Sequence, residues 1–161
     1  MAIILIEYIF GHKIIRQERN AMNKISPLRR DGVVPDIIDL EPKDKITIKY
    51  SSGVEVNFGN ELTPTQVKDQ PVVDWPADNN SYYTLLMTDP DVPSRTDPNL
   101  SEGKHWIVIN IPGADVSKGQ TLVEYMGSGP FKGTGFHRYI FVVYKQTDII
   151  NTNEKHYFVI Y

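Results

Sequence analysis

The sequence predicts a mainly β fold, a two-sheet antiparallel β-sandwich with a few short helices, and three observations support this class. Segments 82–88, 105–111 and 139–145 are too continuously apolar for edge strands, which is typical of the centre of a sheet. Eleven Pro and eleven Gly residues indicate many turns between short strands. The same region lacks the pattern of a long amphipathic helix.

The composition is that of one globular domain and excludes several classes of protein. The chain has 161 residues, of which 40 % are hydrophobic and 23 % are charged. Its net charge of −3 is too close to neutral for general attraction to nucleic acid, so no nucleic-acid partner is predicted. The chain has no cysteine, which excludes a disulfide framework, thiolate metal ligands and a cysteine nucleophile.

The N-terminal region differs from the rest of the chain. We expect residues 1–22 to be an extension of uncertain order, followed by one domain over residues 23–161. The apolar run Met1–Phe10 is far shorter than the roughly 20 residues that cross a bilayer, so no transmembrane segment is predicted. A cytoplasmic location is expected, and the alternative is a secreted protein in which residues 1–20 act as a leader.

Local signals predict the elements in chain order. Ser26 followed by Pro27 is typical of a helix N-cap with proline at the first helical position, and the short helix should end near Gly32. Ile46–Tyr50 and Val54–Phe58 alternate apolar and polar residues on either side of a tight turn, which predicts a β-hairpin. A loop with one helical turn, Leu62–Lys68, and a strand, Val72–Trp75, precede the three central strands.

Two loops between the central strands are rich in residues that fix unusual backbone shapes. Asp89–Pro98 reads DPDVPSRTDP and Gly127–Gly135 reads GSGPFKGTG. Rigid loops at strand ends are where binding sites usually lie. We therefore expect a functional site at this end of the sheet.

Three chemistry-bearing residues flank these loops. Asp89 ends one central strand, His105 begins the next, and His137 lies just before the last. If the three strands are antiparallel neighbours, these side chains meet at one rim. The group could bind an anion, with backbone N–H groups of Gly127–Gly129 as additional donors.

Two enzymatic alternatives stay open at this point. Two histidines and one carboxylate are the ligand set of a non-haem iron site, so a metal-dependent enzyme is the first. A hydrolase with Ser94, Ser101 or Ser128 as nucleophile is the second, although no nucleophile-elbow motif is present.

The motifs of both loops resemble those of the phosphatidylethanolamine-binding protein family. The matching runs are LTPTQVK from Leu62, TDPDVPSR from Thr88, YMGSGP from Tyr125 and GTGFHRY from Gly133. The likeness extends from about Asn23 to Gln146. It implies a phosphatidylethanolamine-binding-protein-like sandwich with a small anion pocket.

The resemblance also implies a function and a set of ligand-binding residues. It implies non-enzymatic binding of a phospholipid headgroup or another phosphate-bearing small molecule, without a cofactor or metal, and regulation of a protein kinase or inhibition of a serine protease. The two imidazoles would donate to phosphate oxygens, and the carboxylate would orient them or receive the ligand's amine. The implied pocket residues are Asp89, Val92, Pro93, His105, Gly127, Gly129, His137 and Tyr139.

The sequence departs from the family pattern in three places. Pro130-Phe131 stands where Pro-Pro is common, and Leu100 and Gly103 stand where animal members often carry aromatic residues. We also expect the domain to lack the strands and helix that usually follow the motif strand in this family, as in a C-terminally shortened member. A truncated protein-interaction form without ligand binding is therefore a further alternative.

Overall fold

The computed structural model describes residues 26–152 and, as backbone alone, the strand Ile3–Phe10. The described part contains eight strands, one short α-helix and one 3₁₀ turn. The elements are β1 (Ile3–Phe10), α1 (Pro27–Arg30), β2 (Thr47–Lys49), β3 (Glu61–Leu62), β4 (Val72–Asp74), β5 (Tyr82–Asp89), β6 (Gly103–Pro112), the 3₁₀ turn (Val116–Lys118), β7 (Gln120–Val123) and β8 (His137–Lys145).

The strands form two sheets, which confirms the predicted two-sheet, mainly β class. The larger sheet has the order β3-β1-β8-β5-β6-β7, and β2 pairs with β4 in the smaller one. Neighbouring strands of the larger sheet are antiparallel, except that β1 runs parallel to β8. The sequence did not predict this parallel pair. Strand β1 lies within the predicted extension of residues 1–22, and the rest of that extension lies outside the described residues.

Strand β8 contributes to two separate cores. Successive residues of a strand point to opposite faces of its sheet. Phe141 and Val143 therefore pack in the core that includes Ile48 of the smaller sheet. Ile140 and Val142 pack on the other face, against a second cluster, which α1 and the segment after it supply. The long apolar strand is buried on both sides, as its sequence predicts.

Helix α1 forms where the capping signal predicts it. The Ser26 hydroxyl accepts a hydrogen bond from the Arg29 backbone N–H at 3.3 Å, and Pro27 occupies the first helical position. Gly32 follows the helix with a φ of +67°, a left-handed conformation that favours glycine. The helix buries Leu28 in the second core.

The predicted hairpin of Ile46–Tyr50 and Val54–Phe58 is only partly correct. The turn forms, because the Tyr50 N–H donates to the Val54 carbonyl at 2.9 Å, but the second arm makes a single β-bridge. Strand β2 pairs along its full length with β4 instead. Positive φ values at Phe58 and Gly59 redirect the chain away from β2 and end the second arm.

The sequence did not predict two short edge strands. Strand β3 lies at the start of the segment that was predicted as a loop, and it pairs with β1. Strand β7 pairs with β6 at the opposite edge. Strands of two and four residues are too short to show a period of two in the sequence.

A buried ion pair joins the loop after β5 to β8 and to the segment after α1. The Arg138 side chain donates to both Asp91 oxygens at 2.9 and 2.6 Å, and the Arg138 backbone N–H donates to the same carboxylate at 2.8 Å. The guanidinium also donates to the carbonyls of Asp31 and Gly32 at 3.0 and 2.8 Å. Asp91 is 1 % exposed and Arg138 is 8 % exposed, so water hardly reaches the pair.

Replacing one partner of this pair should strongly destabilise the fold. The Asp91→Asn variant should lose about 3 kcal/mol or more of unfolding free energy, because a buried guanidinium is left without its counter-charge. The exposed pair of Lys49 and Glu55, 3.7 Å apart, provides the control: Glu55→Gln should cost at most about 1 kcal/mol. Urea unfolding measures both values, and equal losses in the two variants would contradict the anchoring role of Asp91.

Candidate functional site

The ends of three neighbouring strands enclose a cavity of about 230 Å³. Strand β5 lies between β6 and β8, and Asp89 at its end pairs with Gly103 at the start of β6. This antiparallel arrangement brings Asp89, His105 and His137 to one rim, as the strand polarity predicts. All eight pocket residues predicted from the resemblance line the cavity, together with Met126, Pro130 and Phe131.

Asp89 and His137 form a buried pair at the base of the cavity. The Nδ1 atom of His137 lies 2.8 Å from Oδ2 of Asp89, and each side chain is 3 % exposed. The other carboxylate oxygen, Oδ1, accepts from the Asp91 backbone N–H at 2.8 Å. Both oxygens of Asp89 are therefore engaged within the protein, and the carboxylate fixes the orientation of the imidazole ring.

The second nitrogen of His137 is hydrogen-bonded to a residue that sequence reasoning missed. Nε2 lies 2.9 Å from the hydroxyl oxygen of Thr134, which lies 2.8 Å from the Phe131 carbonyl oxygen. The hydroxyl has one hydrogen, so it donates to the carbonyl or to Nε2 and not to both at once. Only the position of Thr134 in the predicted glycine-rich loop signalled a role in the sequence.

His105 is held differently from His137. Its Nδ1 atom lies 2.9 Å from the Met126 carbonyl, which can only accept, so Nδ1 carries the hydrogen. Burial lowers the pKa of His105 below 6.5, and it outweighs the hydrogen bond to Met126 and the negative charge of Asp89, which both favour the charged form. His105 is therefore neutral at pH 7 in the unliganded protein.

Tyr139 lies between the two imidazoles and forms one wall. Its ring meets His105 edge to face, with centroids 4.9 Å apart, and stacks on His137 at 6.5 Å. The tyrosine is 1 % exposed. Tyr139 thus contacts both imidazoles from within the cavity wall.

The glycine-rich loop depends on close packing at Gly127. A Cβ at this position would lie 2.8 Å from the Lys68 carbonyl oxygen and 2.9 Å from that of Val67. A Cβ at Gly129 would have nothing within 4 Å, although this residue also lines the cavity. Gly127 thus allows the loop to approach the neighbouring segment, and the predicted use of Gly127–Gly129 as backbone anion donors stays a prediction.

Three of the described groups bear on the two enzymatic alternatives: the acidic and histidine side chains, Ser128 and Ser94. Residues 26–152 contain no group of three or more His, Asp or Glu side chains arranged to hold a metal ion. The Ser128 hydroxyl is buried and has no hydrogen-bond partner within that part of the chain, and the Ser94 hydroxyl lies 3.1 Å from that of Thr96. Neither hydroxyl is positioned by an imidazole, as a nucleophile would need to be.

The described helices include none with the length and apolar character needed to cross a bilayer. The longest of them, α1, has four residues.

The chain belongs to the phosphatidylethanolamine-binding protein family, whose model matches residues 38–158. It is 39 % identical over 142 residues to the putative odorant-binding protein A5 of Drosophila melanogaster, covering 88 % of this chain and 68 % of that protein. It is 43 % identical over 121 residues to a 26 kDa secreted antigen of Toxocara canis, covering 75 % of this chain and 46 % of that protein. The chain therefore spans about two thirds of one relative and less than half of the other.

Solved structures of family members have the same fold. A carboxypeptidase Y inhibitor, solved in complex with its cognate proteinase, superposes with a TM-score of 0.69 at 30 % identity, over 74 % of this chain and 70 % of that one. The phosphatidylethanolamine-binding protein of Plasmodium vivax superposes with a TM-score of 0.64 at 31 % identity, over 73 % and 67 %. The predicted family is confirmed.

The contrast between the two glycines yields a stability prediction. The Gly127→Ala variant should lose about 1–3 kcal/mol of unfolding free energy, because the added methyl group forces the loop away from the Val67 and Lys68 carbonyls. Gly129→Ala should stay within about 0.5 kcal/mol of the unmodified protein, because its methyl group meets open space. Chemical denaturation measures both unfolding free energies. Equal stability of the two variants would show that the close packing of Gly127 against the neighbouring carbonyls is unimportant.

Proposed function

We propose that this chain binds phosphate-type anions, including the phosphatidylethanolamine headgroup, in the cavity between β5, β6 and β8, and that it performs no chemistry on them. The observation that carries the proposal is the convergence of the buried Asp89–His137 pair and His105 on one cavity. Imidazole donors beside a carboxylate that orients them suit an anion with several acceptor oxygens. The family relationship supports the same function.

The geometry suggests how each polar group acts on the anion. The Thr134 hydroxyl oxygen, 2.9 Å from His137 Nε2, marks a place where an anion oxygen could accept a hydrogen bond from a protonated Nε2. His105 already uses its Nδ1 hydrogen for the Met126 carbonyl, so it must gain a proton at Nε2 before it can donate to an anion. Because both oxygens of Asp89 are engaged, we favour an orienting role for Asp89 over contact with the ligand's amine.

Proteinase inhibition is a second candidate function. One observation favours it: a structural neighbour with the same fold is an inhibitor complexed with its cognate proteinase. An activity assay of carboxypeptidase Y in the presence of this chain addresses this candidate directly.

Kinase regulation, which the resemblance also implies, stays a prediction. For the location, the relative named as a secreted antigen supports the secreted alternative over the cytoplasmic one.

Titration calorimetry with inorganic phosphate and O-phosphorylethanolamine tests the proposed function. The unmodified protein should bind both, and His105→Gln should weaken binding about tenfold or more, because a charge-assisted hydrogen bond is lost. A matched control is Lys118→Gln, which removes one exposed cation from the 3₁₀ turn and should leave affinity unchanged. Thermal melts verify that the variants fold. Undetectable heat with the unmodified protein, or equal affinity in His105→Gln, would refute the site.

The neutral state of His105 predicts a pH dependence. Burial lowers the pKa of His105 in the folded protein below 6.5. The unfolding free energy of the unliganded protein should therefore decrease as the pH falls below about 6.5, because the unfolded chain takes up a proton at His105 more readily. An anion that requires a charged His105 should then bind more tightly at low pH, by up to about tenfold per pH unit for one proton taken up.

Sulfate is a suitable probe for this effect because its charge stays constant between about pH 5 and pH 8. Calorimetry across that range should show increasing sulfate affinity toward acid in the unmodified protein, with a smaller slope in His105→Gln. A flat profile in the unmodified protein would mean that His105 does not have to gain a proton.

A further inference from the structure

The cavity is amphipathic, and only one side of it suits an anion. Its polar groups are Asp89, His105 and His137, whereas the remaining wall is mostly apolar. A volume of about 230 Å³ corresponds to roughly eight water molecules at ~30 Å³ each. A phosphate ion, with five non-hydrogen atoms, occupies only part of that space. The apolar wall consists of Val92, Pro93, Met126, Pro130, Phe131 and Tyr139.

Phe131 differs from the other apolar wall residues in its exposure. Its side chain lines the cavity and yet is 64 % exposed, whereas Val92 and Tyr139 are buried. Asp89 and His137 are each 2 % exposed, so the cavity leads from a buried polar base to an open aromatic wall. A ligand whose anionic group sits at the base would extend its remaining atoms past Phe131.

The aromatic wall is fixed relative to the polar base. The Phe131 carbonyl accepts from the Thr134 backbone N–H at 3.2 Å and from the Thr134 hydroxyl at 2.8 Å. The same hydroxyl is hydrogen-bonded to Nε2 of His137. One residue therefore connects the aromatic position with the imidazole, which sets the separation between the anion-binding and apolar parts of the cavity.

We propose that Phe131 determines ligand specificity and that the cavity prefers phosphate monoesters with an apolar substituent over inorganic phosphate. The inference deepens the proposed function and rests on it. Contact with an alkyl or aryl substituent would remove apolar surface of both the ligand and the exposed ring from water. Inorganic phosphate offers no such surface and would leave Phe131 exposed.

Calorimetry with inorganic phosphate, n-butyl phosphate and phenyl phosphate tests this specificity. The unmodified protein should bind the two esters about fourfold to fourteenfold more tightly than inorganic phosphate, which is the gain expected from burying one or two methylene equivalents. In Phe131→Ala this ratio should fall to near one, and Phe131→Leu should restore part of it. Phe136→Ala is the matched control, because Phe136 is 50 % exposed on the same loop without lining the cavity, and its ratio should be unchanged.

The outcomes separate this inference from the proposed function. If inorganic phosphate binds but the esters bind no better, or if Phe131→Ala keeps the preference, the specificity role is wrong and the anion site stands. If none of the three probes binds, the proposed function fails and this inference with it. Phosphatidylcholine vesicles with and without phosphatidic acid then identify the ligand source: a Phe131-dependent gain there supports a membrane lipid, and a gain confined to the soluble esters supports a soluble ligand.

Discussion

The buried ion pair of Asp91 and Arg138 is the constraint on which the site depends. Arg138 and His137 are consecutive on β8, so their side chains lie on opposite faces of the sheet. Asp89 at the end of β5 pairs with the imidazole, and Asp91 in the loop after β5 pairs with the guanidinium. This segment is thus attached to both faces of β8 at once. This double attachment holds it in one register, and Asp89 meets His137 as a result.

The buried ion pair contributes more to the position of the loop after β5 than to the stability of the fold. Removing two ions from water costs several kcal/mol each, and their attraction repays that only with good geometry and additional hydrogen bonds. Arg138 meets this condition, since its side chain donates to both oxygens of Asp91 and to the carbonyls of Asp31 and Gly32. A well-packed apolar pair could stabilise the fold equally, but it would not specify the direction in which the loop leaves β5.

The sequence predicted the parts of the molecule that regular patterns encode. The long apolar segments of β5, β6 and β8 could be assigned as central strands, and their polarity alone placed Asp89 near both imidazoles. Thr134 was not recognised as a partner of His137, because a loop conformation has no period that reveals which side chain returns to the site. Strand β1 was missed for a related reason: a short apolar run before the domain is equally compatible with a leader, an extension or a buried strand.

The two imidazoles make unequal demands on an anion, although they share one cavity. Nδ1 of His137 lies 2.8 Å from Asp89 and Nε2 lies 2.9 Å from the Thr134 hydroxyl oxygen, so an anion oxygen could take the place of the hydroxyl beside Nε2. His105 has its hydrogen on Nδ1, committed to the Met126 carbonyl, and burial disfavours a second one. In the proposed function, the negative charge of the bound anion would offset that cost. Selectivity for anions over neutral ligands would then reside in His105, while His137 and Thr134 would fix where the anion lies.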